Sequence, residues 1–257
     1  MSYKEISQNS IKNIHALSLQ AQKADLAAYL MSQTHGIVQA GPFKGMKLSD
    51  RLSWGSFSDE AAKVLGFYEE ELHPFIEQII AESPDCILNI GCAEGYYAVG
   101  MARRLPQAKV IAFDIDPKAQ EITLASANQN NCAFYFSVAG EIKVSEIEGY
   151  LKGSEHPFLF MDCEGGELTL LDPLQTPSLS KTSILVECHN FLNRTTVSTL
   201  QSRLSPTHQV EIIAEGERNP NKSPILARLS SNYRWLAVNE NRPECMHWIY
   251  ARPKNEI

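Results

Sequence analysis

The 257-residue sequence lacks the cysteine pairs, long apolar runs and basic surplus that mark several classes of protein. Six cysteines are present, but no two are spaced as Cys-x-x-Cys, which argues against a zinc knuckle or a thioredoxin motif. Most of them fall in apolar, strand-like runs, where free cysteine behaves as a small hydrophobic residue. We therefore expect reduced thiols and a cytoplasmic location.

Neither a membrane span nor a signal peptide is expected. No apolar run approaches about 20 residues, and the first residues show no basic segment followed by an apolar one. The net charge of −7 argues against nucleic acid as a partner, because phosphate binding requires a basic face. A chain that is 44% hydrophobic and 21% charged is typical of a globular protein with a large core.

What the sequence does contain is a strand–turn–helix pattern at residues 86–105. An apolar run leads to Gly91 and Gly95, and an alanine-rich helical pattern follows. Glycine has no Cβ, so the backbone of this turn can approach a ligand closely, and the free N–H groups of the helix start point at it. The next strand ends on Asp114, about 20 residues further on, where dinucleotide-type βαβ folds place a carboxylate on the ribose hydroxyls.

Alternating strands and helices continue from this unit to the end of the chain. The predicted strands lie near 86–91, 109–114, 132–138, 157–162, 183–188, 208–214 and 246–251. The predicted helices between and after them lie near 96–105, 117–128, 143–152, 166–172, 194–204 and 224–239. This pattern predicts an α/β fold, a Rossmann-like three-layer α/β/α sandwich with a mostly parallel seven-stranded sheet. Residues 1–82 instead show helical spacing, so we predict a helical N-terminal extension or cap there and a Rossmann-like domain over 83–257.

Two further strands end on side chains that can carry chemistry. One ends at Asp162, with Glu164 and Glu167 close behind, and another ends at Glu187 and His189. The carboxyl ends of parallel strands meet at one edge of a sheet, so both tips should lie beside the crevice. Strand alternation places Glu187 and His189 on the same side, where an imidazole can act as a general base.

These tips have two other interpretations. Asp162, Glu187 and Asn190 offer oxygen ligands that suit magnesium or calcium, and the imidazole of His189 would admit zinc, manganese or iron. A purely structural role is also open, because acids favour the first turn of a helix and a buried histidine can simply be hydrogen-bonded. The residues alone leave these three interpretations open.

Four segments, at 89–97, 112–117, 161–168 and 185–189, together resemble the class I S-adenosylmethionine-dependent methyltransferases, and within them the FkbM-type branch. The most specific part is Asp-Cys-Glu-Gly-Gly-Glu at 162–167, followed by a strand that ends in Glu-Cys-His. The resemblance covers roughly residues 82–215. It implies a seven-stranded sheet whose last strand is antiparallel, and S-adenosyl-L-methionine as the cofactor.

The resemblance also implies roles for individual residues. The glycine bend would approach the methionine part of the cofactor, Asp114 the ribose, residues 137–141 the adenine, and Asp162 the methyl-transfer end. The cofactor-binding residues implied are Gly91, Cys92, Gly95, Tyr97, Asp114, Ile115, Gly140, Glu141 and Asp162. The expected catalytic residues are Asp162, Glu187 and His189. Asn89 departs from the family, which often has an acid at that position to hold the amino group of the cofactor.

The function predicted is methyl transfer, with O-methylation of a small-molecule or glycan-like acceptor as the expected reaction. A nicotinamide-dependent oxidoreductase is the alternative, but the glycine spacing differs from Gly-x-Gly-x-x-Gly, and Tyr250 and Lys254 form a Tyr-x-x-x-Lys pair that is interrupted by proline. A non-catalytic cofactor-binding protein is a third interpretation. A divalent cation such as magnesium, and a homodimer formed through the helical extension, are further expectations.

Other candidates lie outside these segments. Tyr68 could reach the methionine end of the cofactor, and Trp54 lies in a loop where an aromatic ring can stack on a ligand. Arg218 and Arg242 sit in turn-like contexts, where each is either an anion-binding residue or a partner in a surface salt bridge.

Overall fold

A mixed seven-stranded sheet forms the centre of the computed structural model, which describes residues 8–51 and 59–254. The strands are β1 (Cys86–Ile90), β2 (Lys109–Phe113), β3 (Phe136–Ala139), β4 (Pro157–Met161), β5 (Ser183–Cys188), β6 (His208–Ala214) and β7 (His247–Pro253). Their order is β3-β2-β1-β4-β5-β7-β6, and β7 is antiparallel to both of its neighbours while the other pairs are parallel. The predicted Rossmann-like fold is therefore confirmed. Trp54 lies outside the described residues.

Helices cover both faces of the sheet. They are α1 (Gln8–Thr34), α2 (Glu60–Leu65), α3 (His73–Glu82), α4 (Tyr96–Arg104), α5 (Pro117–Gln129), α6 (Val144–Leu151), α7 (Glu167–Leu170), α8 (Thr196–Leu204) and α9 (Ser231–Ala237). Short 3₁₀ turns occur at Glu70–Leu72, Pro177–Lys181, Pro220–Lys222 and Pro224–Arg228. Within the described ranges, none of these helices is both long and apolar enough to cross a lipid bilayer.

The side chains of the central strands alternate between two apolar layers. Ile87 of β1 and Phe160 of β4 pack with Met101 of α4 on one face. On the other face Leu88 of β1 packs with Ile147 of α6. Both faces of the inner strands β1 and β4 are buried, so these strands are apolar apart from Asn89, which made them recognisable in the sequence.

A third apolar cluster joins the two ends of the described chain. Leu30 of α1 and Val64 of α2 pack against Leu226 and Ala237, which come from the segment between β6 and β7. The N-terminal helices thus rest on a C-terminal element as well as on the sheet. The division into a cap at 1–82 and a domain at 83–257 stays a prediction.

Two predicted elements differ from the structure. Strand β3 begins at Phe136 rather than near 132, because α5 closes through Cys132 N–H donating to Ala127 O at 3.0 Å and Asn131 adopts a φ of 57°. The apolar residue Phe134 made the segment before Phe136 look like part of the strand, but its side chain is 87% exposed. The helix predicted at 224–239 is interrupted at Ser230, whose backbone is extended, so only α9 forms a regular helix.

Candidate active site

The glycine bend after β1 packs directly onto the tip of β4. Gly91 has a φ of 78° and Gly95 a φ of 85°, both in the left-handed region that favours glycine. A Cβ atom on Gly91 would lie 1.6 Å from the carbonyl oxygen of Asp162, so no larger residue fits there. Gly95 then starts α4. The bend and the β4 tip therefore form one continuous edge of the crevice.

Asp114, at the end of β2, lies on this bend. Its Oδ2 accepts a hydrogen bond from Ala93 N–H at 2.9 Å, and its Oδ1 accepts one from Asp116 N–H at 2.9 Å. Ala93 itself has a φ of 45°, an uncommon conformation for a residue with a Cβ. The next side chain, Ile115, is 79% exposed. Asp114 thus lies on the glycine bend with an exposed apolar side chain beside it, and its role as a ribose ligand stays a prediction.

Asn89 lies near the end of β1, two residues before the bend. Its side chain is almost completely buried, and neither Oδ1 nor Nδ2 has a hydrogen-bond partner among the described residues. A buried amide with both polar atoms unpaired is costly, and such groups usually have a partner of some kind. The described residues therefore leave this buried amide without the partner it needs.

The other predicted cofactor-binding residues lie in different environments. Asp114 N–H donates to Ala139 O at 3.2 Å, which brings the 139–141 segment to the crevice, where Gly140 is half-buried and Glu141 is exposed. The Cys92 thiol is buried 3.6 Å from Thr123 Oγ1, and burial raises its pKa to about 12. Cys92 is thus placed as a core thiol.

Tyr97 is directed away from solvent. Its ring stacks on Phe160 at a centroid distance of 4.0 Å, and its hydroxyl donates to Glu69. Tyr68 packs edge-on against Tyr96, so the segment before α3 contacts an aromatic side chain at the start of α4.

A buried histidine and four carboxylates form the second part of the site. His189 Nδ1 lies 2.5 Å from Glu167 Oε1, and both side chains are at most 2% exposed. His189 Nε2 lies 3.5 Å from Asp162 Oδ1, 3.4 Å from Glu164 Oε2 and 3.4 Å from Glu187 Oε2. Only Asp162 and Glu164 of this group are partly exposed, at 28% and 51%. We call these five residues the His189 cluster.

The charges of the His189 cluster decide what its imidazole can do. Burial opposes the charged ring, but the contacts with Glu167 and Glu187 and the charge of Asp162 outweigh it and raise the pKa of His189 to about 11. A ring that stays protonated at neutral pH is a poor general base. Although part of Asp162 is exposed, burial first and the charge of Glu187 second raise its pKa well above the usual range.

Asn190 is not directed at this cluster. Its Oδ1 accepts a hydrogen bond from Val197 N–H at 3.3 Å. The structure brings Asp162, Glu187 and His189 together as expected from the sheet order, and adds Glu164 and Glu167 to them.

Arg218 is buried and Arg242 is largely buried, and both are partners of carboxylates rather than surface residues. Arg242 pairs with Glu69, Glu187 and Glu240, the last at 3.2 Å. Arg218 pairs with Glu71 at 3.0 Å, with Glu240 at 2.7 Å and with Glu215 at 3.7 Å. Neither guanidinium is therefore available for an anionic substrate. We call this set of seven residues the arginine–glutamate network.

Carboxylates outnumber guanidiniums in the arginine–glutamate network. Burial raises the pKa of Glu69 to about 7 even though Arg242 opposes the shift. Burial likewise raises the pKa of Glu240 to about 7 against the effects of Arg218 and Arg242. The network as a whole is thus short of positive charge.

Several of these contacts could not be found from the sequence. Glu69 and Arg242 are 173 residues apart, and Glu167 and His189 are 22 apart. A helical or strand period relates neither pair, so only the folded chain shows them. The one signal in the sequence is local: each of these two acids lies in a segment that also carries glycine or proline, which are typical of turns.

Comparison with known proteins gives a likeness in fold. No family model matches the sequence. No curated protein matches it either. The structure resembles cofactor-bound Rv0187 from MTB, with 12% identity, a TM-score of 0.48, and coverage of 93% of this chain and 90% of that one. It also resembles the O-methyltransferase from Bacillus cereus in complex with SAH, with 14% identity, a TM-score of 0.48, and coverage of 78% and 98%.

A third similar structure is the O-methyltransferase TomG from Streptomyces achromogenes, involved in tomaymycin synthesis, in complex with SAM. It has 11% identity and a TM-score of 0.46, and the coverage is 90% of this chain and 89% of that one. At such identities and TM-scores these likenesses carry no argument about the chemistry of this chain.

Proposed function

We propose that this protein is an S-adenosylmethionine-dependent methyltransferase that methylates a hydroxyl oxygen of a small-molecule or glycan-like acceptor. The observation that supports this best is the Asp114 carboxylate, bonded to Ala93 N–H in the glycine bend at 2.9 Å. It lies at the carboxyl edge of the strands, where ligands bind in open α/β sheets. The FkbM-type resemblance remains part of the proposal.

The residues of the crevice fit this cofactor. Each Asp114 oxygen can accept a ribose hydroxyl in addition to its backbone N–H, because a carboxylate offers about four acceptor positions. Exposed Ile115 offers an apolar surface to an adenine ring, and the unpaired amide of Asn89 offers a partner to the polar end of methionine. When bound, S-adenosylmethionine would supply an electrophilic methyl group, which an acceptor oxygen would take as the methyl–sulfur bond breaks and S-adenosylhomocysteine leaves.

The His189 cluster would contact the acceptor. Asp162 and Glu164 are its partly exposed members, so we assign to them the acceptor hydroxyl and its proton. Glu187 and His189 lie buried behind them and hold them in place. Because Arg242 is already bound to carboxylates, a strongly anionic acceptor would meet uncompensated negative charge. We therefore favour a neutral hydroxyl compound.

Calorimetry separates the methyltransferase from the oxidoreductase. The purified protein is titrated with S-adenosylhomocysteine and, in parallel, with NADH. The proposal expects saturable one-to-one binding of S-adenosylhomocysteine and none of NADH at the same concentrations. Binding of NADH without binding of S-adenosylhomocysteine would overturn it.

The acceptor class needs a turnover measurement. Release of S-adenosylhomocysteine is followed with neutral polyhydroxyl or phenolic acceptors and with carboxylated or phosphorylated analogues of the same size. Turnover confined to the anionic analogues would contradict the acceptor assignment.

A further inference from the structure

We propose that Asp162, Glu164 and His189 form a binding site for a first-row divalent transition-metal ion, and that this site holds zinc more tightly than magnesium. The ion binding itself stands apart from the proposed function. Only its use, to bind the acceptor hydroxyl beside the cofactor, rests on the proposed methyl transfer.

The first argument is the spacing of the ligand atoms. His189 Nε2 lies 3.5 Å from Asp162 Oδ1 and 3.4 Å from Glu164 Oε2, and the three ligand atoms lie within 4.8 Å of one another. A direct N–H···O hydrogen bond would be about 2.9 Å long. Two ligands held about 2.1 Å from a tetrahedral zinc ion are about 3.4 Å apart. The spacing is thus too wide for good hydrogen bonds and suits an ion between the atoms.

The second argument is the orientation of the imidazole. Glu167 Oε1 lies 2.5 Å from His189 Nδ1, and Gly165 N–H donates to the same Glu167 oxygen at 3.1 Å. A carboxylate on Nδ1–H leaves Nε2 as the ring nitrogen that gives up its proton to a metal ion, the arrangement usual for histidines that bind metals. That nitrogen belongs to a side chain only 2% exposed, and it faces the carboxylates of Asp162 and Glu164.

The third argument is charge. Four carboxylates surround one imidazole, and within the described part of the chain only Glu187 of these four is also bound by a cation, Arg242. A divalent ion would supply the positive charge that this buried group lacks. Asp162 and Glu164 are partly exposed, so an ion can reach them from solvent.

These arguments change the ligand set expected from the sequence. Glu187 is neutralised by Arg242, and Asn190 is bonded to Val197 N–H, so we replace both with Glu164 and His189. An imidazole nitrogen in the set favours zinc, manganese or iron over magnesium, which prefers oxygen ligands throughout.

Titration with Zn²⁺ in the absence of S-adenosylmethionine tests the site. The protein is stripped with a chelator, and Zn²⁺ and Mg²⁺ binding are measured by calorimetry for the unmodified protein and its variants. We expect one Zn²⁺ per chain, weakened at least tenfold in Glu164→Gln and abolished in His189→Ala. Glu167→Gln should weaken it about 10–100-fold, the usual effect of losing the partner of a ligating histidine. Glu155→Gln removes an exposed carboxylate and should have no effect.

Several results would overturn the site. These are no Zn²⁺ binding by the unmodified protein, unchanged binding in His189→Ala, or Mg²⁺ binding as tight as that of Zn²⁺. A thiolate charge-transfer band after Co²⁺ substitution would place the ion on a cysteine instead. Glu164 is half exposed, so Glu164→Gln gives a second test should His189→Ala not fold.

Calorimetry with S-adenosylhomocysteine on the same samples separates the two proposals. Zinc binding without S-adenosylhomocysteine binding would overturn the proposed function alone. The reverse result would overturn the metal site alone.

Discussion

The carbonyl oxygen of Asp162 occupies the space that a Cβ atom on Gly91 would need, at 1.6 Å. The end of β1 and the end of β4 are therefore in direct backbone contact beneath the crevice. A change in either position is therefore expected to disturb both the glycine bend and the end of β4 that carries Asp162.

Gly91→Ala should destabilise the fold and disturb the β4 tip. A non-glycine residue in the left-handed conformation costs about 1–3 kcal/mol, and the overlap with Asp162 adds to this. Gly149→Ala is the matched control, because a Cβ there meets nothing within 4 Å and lies within helix α6. Urea unfolding should show a clear loss of stability for Gly91→Ala. For Gly149→Ala the free energy of unfolding should rise by about 1 kcal/mol or less. Equal unfolding midpoints would contradict the packing described.

Asp114→Asn should weaken the binding of S-adenosylhomocysteine. A hydrogen bond to a charged group contributes about 1.5–3 kcal/mol, so the dissociation constant should rise roughly 10- to 100-fold. Asp116→Asn makes the same charge change two residues away, where the side chain caps α5 by accepting from Lys118 N–H at 2.9 Å. Calorimetry should find nearly unchanged affinity in that control. If both variants bind alike, Asp114 does not hold the ribose.

Arg242→Met should be strongly destabilising. It leaves Glu69 and Glu187 buried without their cation, and breaking a buried pair on one side costs about 3–5 kcal/mol. Arg194→Met breaks the 2.7 Å pair with Glu244, but Arg194 is 73% exposed, so its cost should be about 0–1 kcal/mol. Chemical denaturation measures both. Adding Glu69→Gln to Arg242→Met should recover part of the loss, because the two residues interact directly.

Titration of Glu69 should lower the free energy of unfolding of the protein as the pH rises from 5 to 7. Its pKa is raised from 4.5 to about 7, first by burial, so the folded state binds more protons than the unfolded chain in this range. The stabilisation is complete below the unfolded pKa and is lost as the pH rises to 7. Glu69→Gln lacks this titration. Relative to the unmodified protein, the free energy of unfolding of the variant should increase as the pH rises, by at most about 1.4 kcal/mol per pH unit.

Glu77→Gln is the control for this pH experiment. The hydrogen bond from Arg104 lowers the pKa of Glu77, the opposite direction to the shift of Glu69, so its titration lies on the acid side of that of Glu69. Denaturation between pH 5 and pH 7 should give a constant difference for this variant. A constant difference for Glu69→Gln as well would show that Glu69 is already ionised throughout.

The sequence predicted the sheet well because its inner strands are buried on both faces. Strands β1, β2, β4 and β5 are short, mostly apolar runs, and acidic side chains stand at or just after the ends of β2, β4 and β5. The meeting of Asp114, Asp162 and Glu187 at one edge of the sheet therefore follows from topology. β3 was placed too early, because an exposed Phe134 looks like a strand residue in a pattern that records only hydrophobicity.

The candidate site was less predictable because its contacts are specific pairs of side chains. Topology brings His189 near Asp162, but it cannot say that Glu167 binds the opposite ring nitrogen. Arg218 and Arg242 were each recognisable as functional candidates only by type. Their burial among glutamates depends on the path of residues 215–242, which carries little periodic signal.

The pairing of Glu69 with Arg242 has a consequence for how the protein folds. During synthesis from the N-terminus, Glu69 emerges 173 residues before the arginine that neutralises it, and such distant contacts form slowly because a long loop must first close. Nascent chains that end before Arg242 would thus carry an acidic group that lacks its cation. If this contact belongs to the folding nucleus, replacing Arg242 should slow refolding from denaturant. If the contact forms after the nucleus, the refolding rate should stay unchanged.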